Sequence, residues 1–425
     1  MKGFCGLYSR GEGPKGRWQG RSKGPFCSPR YQRRDREETG HISQKKVTQG
    51  PKDIFLIAGE ASGDLHGSSF MRSLKELCPY ELRFHGIGGP LMIEQGLKAI
   101  YPMERLSVVG VTEVMRQGAH IFRAYRRVKR ALKEICPSLV VFIDYPGFNL
   151  KVLRLASQMG LSTMYYITPQ VWAWKKRRVH LLRRFCSAAA VILPFEEPFL
   201  KRAGVNATFV GHPLVDTVRQ TMEREEFLRS LGLDPKRPTL GLLPGSRTGE
   251  LARHIPIMLE TVSRIKRMGL GVQFIMPLTR LDLLKKEERD AIEKRGIIAL
   301  EGKTYDAMGA CDCLILASGT VTLEASILGV PHIVIYRLSA ITYFLGRILV
   351  KVPYVSLTNL IKGEAVVEEY IQHRATPENL AMAVERLLKD DAAQERVKEG
   401  LRDVKERLGP GGASKRAARL ALDLL

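Results

Sequence analysis

From Asp53 onward the chain alternates short runs of β-branched and aliphatic residues with longer amphipathic stretches. The apolar runs IFLIAG, LRFHGIGG, LVVFIDYP, STMYYIT, AAVILPF and ATFVG come first, most of them separated by segments of helical periodicity. Short runs that are apolar throughout predict strands buried on both faces, and interleaved helices predict a parallel sheet covered on both sides. A second series follows, TLGLLPG, VQFIMPL, IIALEG, CLILASG and HIVIY, with helices between, LLKKEERDAIEKRG being the clearest. The pattern therefore predicts an α/β protein of two Rossmann-like parallel-sheet domains facing each other across a cleft. The charged stretch after Gly211-His212-Pro213 and the proline-flanked DPKRP read as a linker. The expected division is a first domain over 51–215, a linker over 216–237 and a second domain over 238–370. From 371 to 425 the chain turns helical and highly charged, with apolar residues at three- and four-residue spacing. These C-terminal helices are expected to pack back on the body or on a second copy, making a homodimer.

Length and composition fit this division, since 425 residues with 44% hydrophobic content suffice for two ordinary cores. The net charge is +23, of which residues 1 to 50 carry +8, so the body is itself basic. That excess implies an anionic partner: nucleic acid, anionic lipid headgroups or a phosphorylated substrate. The seven cysteines are scattered, and the closest pair, Cys311 and Cys313, has one intervening residue where zinc and redox motifs usually have two. Free thiols in a reducing compartment are expected. No run of apolar residues is long enough for a spanning helix, and the N-terminus lacks the apolar stretch of a signal peptide. Residues 1 to 50, rich in Gly, Arg, Lys and Pro, are expected to form a disordered basic extension; the glycines and Glu12 argue against a transit peptide.

Two strand-to-helix turns carry the chemistry. In GLLPGSRTGE an apolar strand breaks at Pro244-Gly245 into Ser246 and Arg247, just ahead of a helix. In SGTVTLEA the small residues Ser318, Gly319 and Thr320 stand at the end of another strand, with Glu324 one helical turn in. A helix N-terminus offers unpaired N–H groups and the positive end of its dipole, and small residues let an anion approach closely. Arg247 adds a planar fork matched to phosphate oxygens. Neither turn is a Walker sequence or a GxGxxG, so kinase-like and dehydrogenase readings lose ground. Each turn alone is a plain connection; two in one domain point to a nucleotide diphosphate. No DxD, HExxH or ligand-spaced histidines occur, so no metal and no cofactor are expected.

The chain resembles the lipid-A-disaccharide synthase family, inverting glycosyltransferases of the GT-B fold. The resemblance rests on AGEASGDLHG (58–67), FIDYPGFN (142–149), ITPQVWAWKKRRV (167–179), LPFE (193–196), VGHPLVD (210–216), LLPGSRTGE (242–250), ASGTVTLEA (317–325) and YVSLTNLI (354–361). It runs from about residue 53 to the C-terminus, and GEASGD and VWAW are its most specific segments. It implies transfer of a diacylglucosamine unit from UDP-2,3-diacylglucosamine to 2,3-diacylglucosamine 1-phosphate, giving a β-1′,6-linked disaccharide phosphate and UDP. Asp144, at the end of a buried strand, then becomes a candidate catalytic base, the alternative being an N-cap for the helix that begins near Asn149. The family often carries a second acid where this chain has Gly147, so that role has no side chain here. Glu60, on the end of the first strand, is the second candidate base. Asp64 in the same turn suits a capping position. Ser246, Arg247, Ser318, Gly319 and Thr320 are assigned to the diphosphate. Glu324 is assigned to the ribose hydroxyls, and Asn359 to the nucleotide side.

Acylated substrates require contact with a membrane surface. Two stretches suit it, Arg116–Ile135, basic with apolar residues on one side, and Ile341–Val352, apolar with Arg347 and Lys351. The alternatives are a solvated helix face and a core helix. Trp172 and Trp174, beside the basic run 175–178, add an aromatic edge. The expected location is cytoplasmic, peripheral on the inner face of the cytoplasmic membrane. Two rival readings stand beside this one. A UDP-N-acetylglucosamine epimerase or a peptidoglycan-precursor N-acetylglucosaminyltransferase would share the nucleotide turns without GEASGD and VWAW. A nucleic-acid-binding protein is supported by charge alone, with no reader motif, so no nucleic-acid partner is expected.

Overall fold

The apolar runs become the strands of two wholly parallel sheets. The computed structural model describes residues 50–106, 114–173, 176–339, 343 and 352–425. Most of the extension expected at 1–50, most of the apolar segment 341–352, and Trp174 lie outside the described residues. The first sheet contains β1 (Lys52–Ala58), β2 (Leu82–Ile87), β3 (Leu97–Ala99), β4 (Leu139–Ile143), β5 (Thr163–Tyr166), β6 (Ala188–Val191) and β7 (Ala207–Phe209). Its spatial order is β3-β2-β1-β4-β5-β6-β7. The second contains β8 (Thr239–Leu243), β9 (Gln273–Leu278), β10 (Ile297–Glu301), β11 (Cys313–Ala317), β12 (His332–Tyr336) and β13 (Glu368–Ile371), in the order β10-β9-β8-β11-β12-β13. In each sheet the order reverses once, at β1/β4 and at β8/β11.

Along β1 the side chains alternate between two cores. Phe55 and Ile57 join Val140, Phe142 and Tyr165 on one face; Ile54, Leu56 and Ala58 join Val141, Ile143 and Tyr166 on the other. All are fully buried, which is why the run carries no polar alternation. The second sheet is built the same way. A smaller core joins the lobes, where Leu193 and Leu214 meet Leu323, Ile327, Ile361 and Leu408.

Three segments differ from the sequence expectation. Strands β3 and β13 carry no apolar run: β3 has three residues with one buried, and the four residues of β13 are all half-buried. The segment 216–237 is not a free linker. Its helix Arg224–Ser230 buries Phe227 and Leu228 in the second lobe, while Arg224 donates to the Asp312 carboxylate at 2.8 Å and to the Ala310 carbonyl at 3.1 Å. The C-terminal helices divide between the lobes. Helix Pro377–Lys389 packs on helix Thr248–Arg267, whereas Ala413–Leu422 crosses back to helix Ala61–Leu77 and buries Ala417, Ala418 and Ala421 there. Asp216 fixes that crossing by accepting the Gly412 N–H at 2.7 Å and the Ala413 N–H at 3.3 Å.

Asp64 caps, but not its own helix. Its buried carboxylate accepts the backbone N–H groups of Gly89 (2.9 Å), Leu91 (3.0 Å) and Met92 (2.9 Å), and so anchors helix Pro90–Glu94. Asp64→Ala would leave these donors without their acceptor, and is expected to lower the free energy of unfolding by about 2–3 kcal/mol. Urea denaturation checks this, an unchanged midpoint being the contrary result.

Candidate active site

Parallel sheets bind ligands beyond the carboxyl ends of their strands where the strand order reverses, because adjacent connections there leave on opposite faces and open a crevice. In the first lobe that place lies beyond Ala58 and Ile143, paired neighbours in register, and the next residues bring up Glu60 and Asp144. In the second lobe it lies beyond Leu243 and Ala317, and the turns 244–247 and 318–320 stand there. The fold thus brings each predicted pair together.

Asp144 and Tyr145 are consecutive left-handed residues, at φ 45° and 47°. Neither is glycine, so each costs on the order of 1–3 kcal/mol and needs to be held. The Asp144 N–H donates to the Tyr166 carbonyl at 3.2 Å, and the Asp144 carbonyl accepts from the Tyr165 hydroxyl at 2.7 Å and from Asn149 Nδ2 at 2.8 Å. Buried Asn149 reaches the Ile57 and Ile143 carbonyls as well, at 3.3 and 3.2 Å. One amide therefore ties both strand ends to the turn. The Tyr145 hydroxyl donates to the Leu106 carbonyl at 2.8 Å, and its ring lies against Gly59, where any Cβ would collide with it.

This geometry bears on the capping alternative for Asp144. Tyr145 occupies the N-cap position of helix Pro146–Gln158, and no side chain caps that helix. Burial, and then the Glu60 charge, push the Asp144 carboxyl up to about 6, while the Tyr145 N–H pulls the other way. Glu60 sits at the N-cap position of helix Ala61–Leu77 without making a cap bond, and is exposed. A third acid that sequence reasoning missed stands near them. Glu196 is buried and accepts the Trp172 indole N–H and the Leu193 N–H, both at 3.1 Å. Burial pushes it up to about 7 against those hydrogen bonds. Asn149 and Glu196 both lie in motif segments, but nothing in their spacing reveals what they hold.

In the second lobe both turns border one cavity of about 330 Å³, whose walls include Ser246, Arg247, Ser318, Gly319, Thr320 and Glu324. The two turns are not equivalent. Glu250 reaches back from the first turn of helix Thr248–Arg267 and accepts the N–H groups of Ser246 (3.1 Å) and Arg247 (3.3 Å). Gly245, at φ 110°, gives it room, since a Cβ there would strike the Glu250 carboxylate. The Arg247 side chain is 82% exposed, with Glu250 at 3.6 Å. At the other turn the N–H groups of Gly319, Thr320 and Val321 have no hydrogen-bond partner among the described residues, and they open helix Val321–Leu328. The Ser318 hydroxyl donates to the Val355 carbonyl at 3.0 Å, which leaves its lone pairs free to accept.

Glu324 is a half-buried acid in an apolar helix, and its protein partner is the Tyr305 hydroxyl. Burial raises it above the usual carboxylate range, that hydrogen bond acting in the opposite sense. Sequence reasoning also missed His254, which donates from Nδ1 to the Pro244 carbonyl at 2.7 Å and accepts the Arg337 N–H at Nε2 at 3.3 Å, joining the ends of β8 and β12. Asn359 stands apart from the cavity. Its Nδ2 donates to the Val367 carbonyl and the Glu369 carboxylate, and its Oδ1 accepts the N–H groups of Val366 and Val367. All of its hydrogen-bonding capacity is used inside the fold, so it pins helix Leu357–Lys362 to β13 and has none left for a nucleotide.

Comparison with known proteins agrees with this geometry. The profile of the family described as lipid-A-disaccharide synthetase matches residues 54–422. The lipid-A-disaccharide synthase of Geobacter metallireducens is 42% identical over 378 residues, covering 88% of this chain and 97% of that protein. Among solved structures, UDP-GlcNAc 2-epimerase from Neisseria meningitidis bound to UDP-GlcNAc superposes with a TM-score of 0.61 at 11% identity, covering 88% of this chain and all (100%) of the epimerase. The calicheamicin glycosyltransferase CalG4 gives 0.56 at 16% identity, covering 88% and 98%. At such identities these two structures speak to the fold alone, that of GT-B glycosyltransferases and related epimerases.

A carboxylate acts as a base only when ionised, so turnover that depends on Asp144 should rise with pH through about 6. Glu60→Gln removes a neighbouring negative charge that raises Asp144, and is expected to move this acid limb to lower pH while retaining activity. The pH–rate profiles of the two proteins check this; loss of turnover in Glu60→Gln would instead give the base role to Glu60.

Proposed function

The chain belongs to the lipid-A-disaccharide synthase family of glycosyltransferases, and on that premise we propose which residues perform the transfer. The reading is that the second lobe holds the UDP of UDP-2,3-diacylglucosamine while the first presents 2,3-diacylglucosamine 1-phosphate. The single observation that carries it is the cavity shared by Ser246, Arg247, Ser318, Gly319, Thr320 and Glu324 at the β8/β11 crevice. Phosphate oxygens fit the open N–H groups of 319–321 at the positive end of helix Val321–Leu328. The exposed Arg247 fork closes on them from the other turn, and the ribose hydroxyls donate to Glu324.

In this mechanism Asp144 takes the proton from the 6-hydroxyl of the acceptor. The hydroxyl oxygen bonds to the anomeric carbon from the face opposite UDP, and the bond from that carbon to the β-phosphate oxygen breaks, inverting the centre. The electron pair leaves on UDP, where Arg247 and the N–H groups offset the growing charge. Glu60 serves by raising the basicity of Asp144, or as the base itself if Asp144 proves dispensable. Asn149, which fixes the Asp144 turn, is a positioning residue.

Membrane contact belongs to the same proposal. No helix among the described residues is long and apolar enough to cross a bilayer. Helix Val114–Ile135 buries Ala124, Val128 and Leu132 in the first lobe and turns Arg126, Arg127, Arg130 and Lys133 toward a broad outer groove. Phe122 stands 60% exposed among them, with the Arg126 guanidinium 5.9 Å from its ring centre. A basic face with a projecting aromatic ring suits the anionic inner face of the cytoplasmic membrane, where acylated substrates reside. The C-terminal helices bury Leu380, Val384, Ala417, Ala418 and Ala421 against the chain's own lobes, while Met382 stands 56% exposed.

Incubation with the two acylated glucosamines, with and without chelator, tests the reaction; release of UDP from UDP-N-acetylglucosamine with no use of the diacylated donor would favour an epimerase-like or peptidoglycan-type activity. Asp144→Ala is expected to reduce kcat by roughly a hundredfold to ten-thousandfold with UDP affinity preserved, and rates close to the parent would remove it from the mechanism. Arg247→Ala is expected to weaken UDP binding about tenfold or more and to lower kcat/KM with it. Calorimetry with UDP decides the point, an unchanged Kd arguing against a phosphate contact.

A further inference from the structure

A second cavity, of about 490 Å³, opens on the far side of the 318–320 turn, between the lobes. It shares Ser318, Gly319 and Thr320 with the smaller cavity, but its remaining walls are largely apolar or aromatic: Trp172 from the first lobe, and Tyr336, Leu338, Tyr354, Leu357 and Leu360 from the second. Pro277, Thr304 and Glu324 border only the smaller cavity. The crevice therefore runs in a fixed order, from nucleoside side through phosphate cradle to apolar chamber.

The chamber walls are held in place. The Trp172 indole is fixed by Glu196 and stands edge-on to Phe195, with ring centres 4.9 Å apart. Gln372 grips the Leu338 backbone from both sides, accepting its N–H at 2.8 Å and donating to its carbonyl at 3.2 Å. Leu357 and Leu360 ride on the short helix that Ser356 caps and Asn359 ties to β13. A preformed apolar chamber beside a phosphate cradle calls for a ligand whose phosphate and hydrocarbon parts are close neighbours.

We propose that this chamber is the subsite for the donor's amide-linked acyl chain. The inference rests on the reading that UDP occupies the 318–320 turn. In such a donor the anomeric carbon bears the β-phosphate, and the next ring carbon bears the amide. The chain therefore leaves the sugar close to the phosphate oxygens and must run either into water or along the nearest apolar surface. That surface is the Trp172–Leu338–Leu360 chamber. At its rim the exposed Gln170 brings a side-chain amide able to pair with the acyl amide. Substrate selection then arises from burial of hydrocarbon, worth roughly fourfold in affinity for each methylene that enters.

The test uses the full-length protein, UDP, and UDP-glucosamine analogues carrying butyryl, hexanoyl or octanoyl amides, all short enough to stay monomeric in water. Calorimetry on the parent protein is expected to show affinity climbing with chain length, by roughly 250-fold over the four methylenes from butyryl to octanoyl if all of them enter. Leu338→Trp, which fills the chamber, should flatten the series while leaving UDP affinity unchanged. Leu360→Ala, which removes wall, should weaken the gain per methylene, again with UDP unaffected. A flat series in the parent protein, slopes that survive both substitutions, or UDP affinity falling in step with the acylated analogues would each overturn the assignment. Failure of the parent protein to bind UDP at all would sink the nucleotide reading beneath it, a result distinguishable from the others because UDP is measured by itself.

Discussion

The strand order of the two sheets is the constraint from which the rest of the molecule follows. Each sheet is wholly parallel and reverses direction once, at β1/β4 and at β8/β11, and at each reversal the connections on either side depart to opposite faces. The backbone parts there with no hydrogen bond broken, leaving a concave opening rimmed by strand ends and helix N-termini. Glu60 and Asp144 rim one opening; the 244–247 and 318–320 turns rim the other. Neither pair is close in sequence. Only the parallel register, with Ala58 beside Ile143 and Leu243 beside Leu316, makes them neighbours.

The two openings are electrostatically unlike. The first lobe concentrates carboxylates, with Asp144 and Glu196 both raised by burial and Asp144 further raised by Glu60. The second presents open N–H groups and a guanidinium. Raised carboxyls on one lobe and open N–H groups with a guanidinium on the other suit the proposed displacement, in which a proton leaves one end of the reacting line and charge accumulates at the other. Glu250 adds to this contrast: its carboxylate accepts the N–H groups of Ser246 and Arg247, so the first turn is paired with an anion of its own.

Polar side chains buried in the fold act mainly as fasteners. Asp64 anchors helix Pro90–Glu94, Asn149 binds three carbonyls at the Asp144 turn, His254 joins two strand ends, and Asn359 pins the helix that forms one wall of the interlobe chamber. Asp64 meets only backbone groups remote in sequence, Asn149 and His254 each join a nearby group to a remote one, Ile57 and Arg337, and Asn359 meets groups on the segment just after its own helix. A buried amide or carboxylate without such partners would be costly, so these positions tie functional turns to the scaffold.

The sequence by itself determined the α/β class, eleven of the thirteen strands among the described residues, the two phosphate-type turns and the acids at strand ends, because continuous apolar runs and turn residues are local signals. Strands β3 and β13 were not legible, since half-buried edge strands carry no apolar run, and the segment 216–237 read as a linker because Phe227 and Leu228 are few among charges. Tertiary structure alone decided that Asp64 caps a different helix and that Asn359 faces inward. It alone brought Glu196 near Asp144 and set an apolar chamber against the 318–320 turn. These facts depend on which distant backbone groups a polar side chain meets and how closely carboxylates are brought together, and a one-dimensional pattern contains neither.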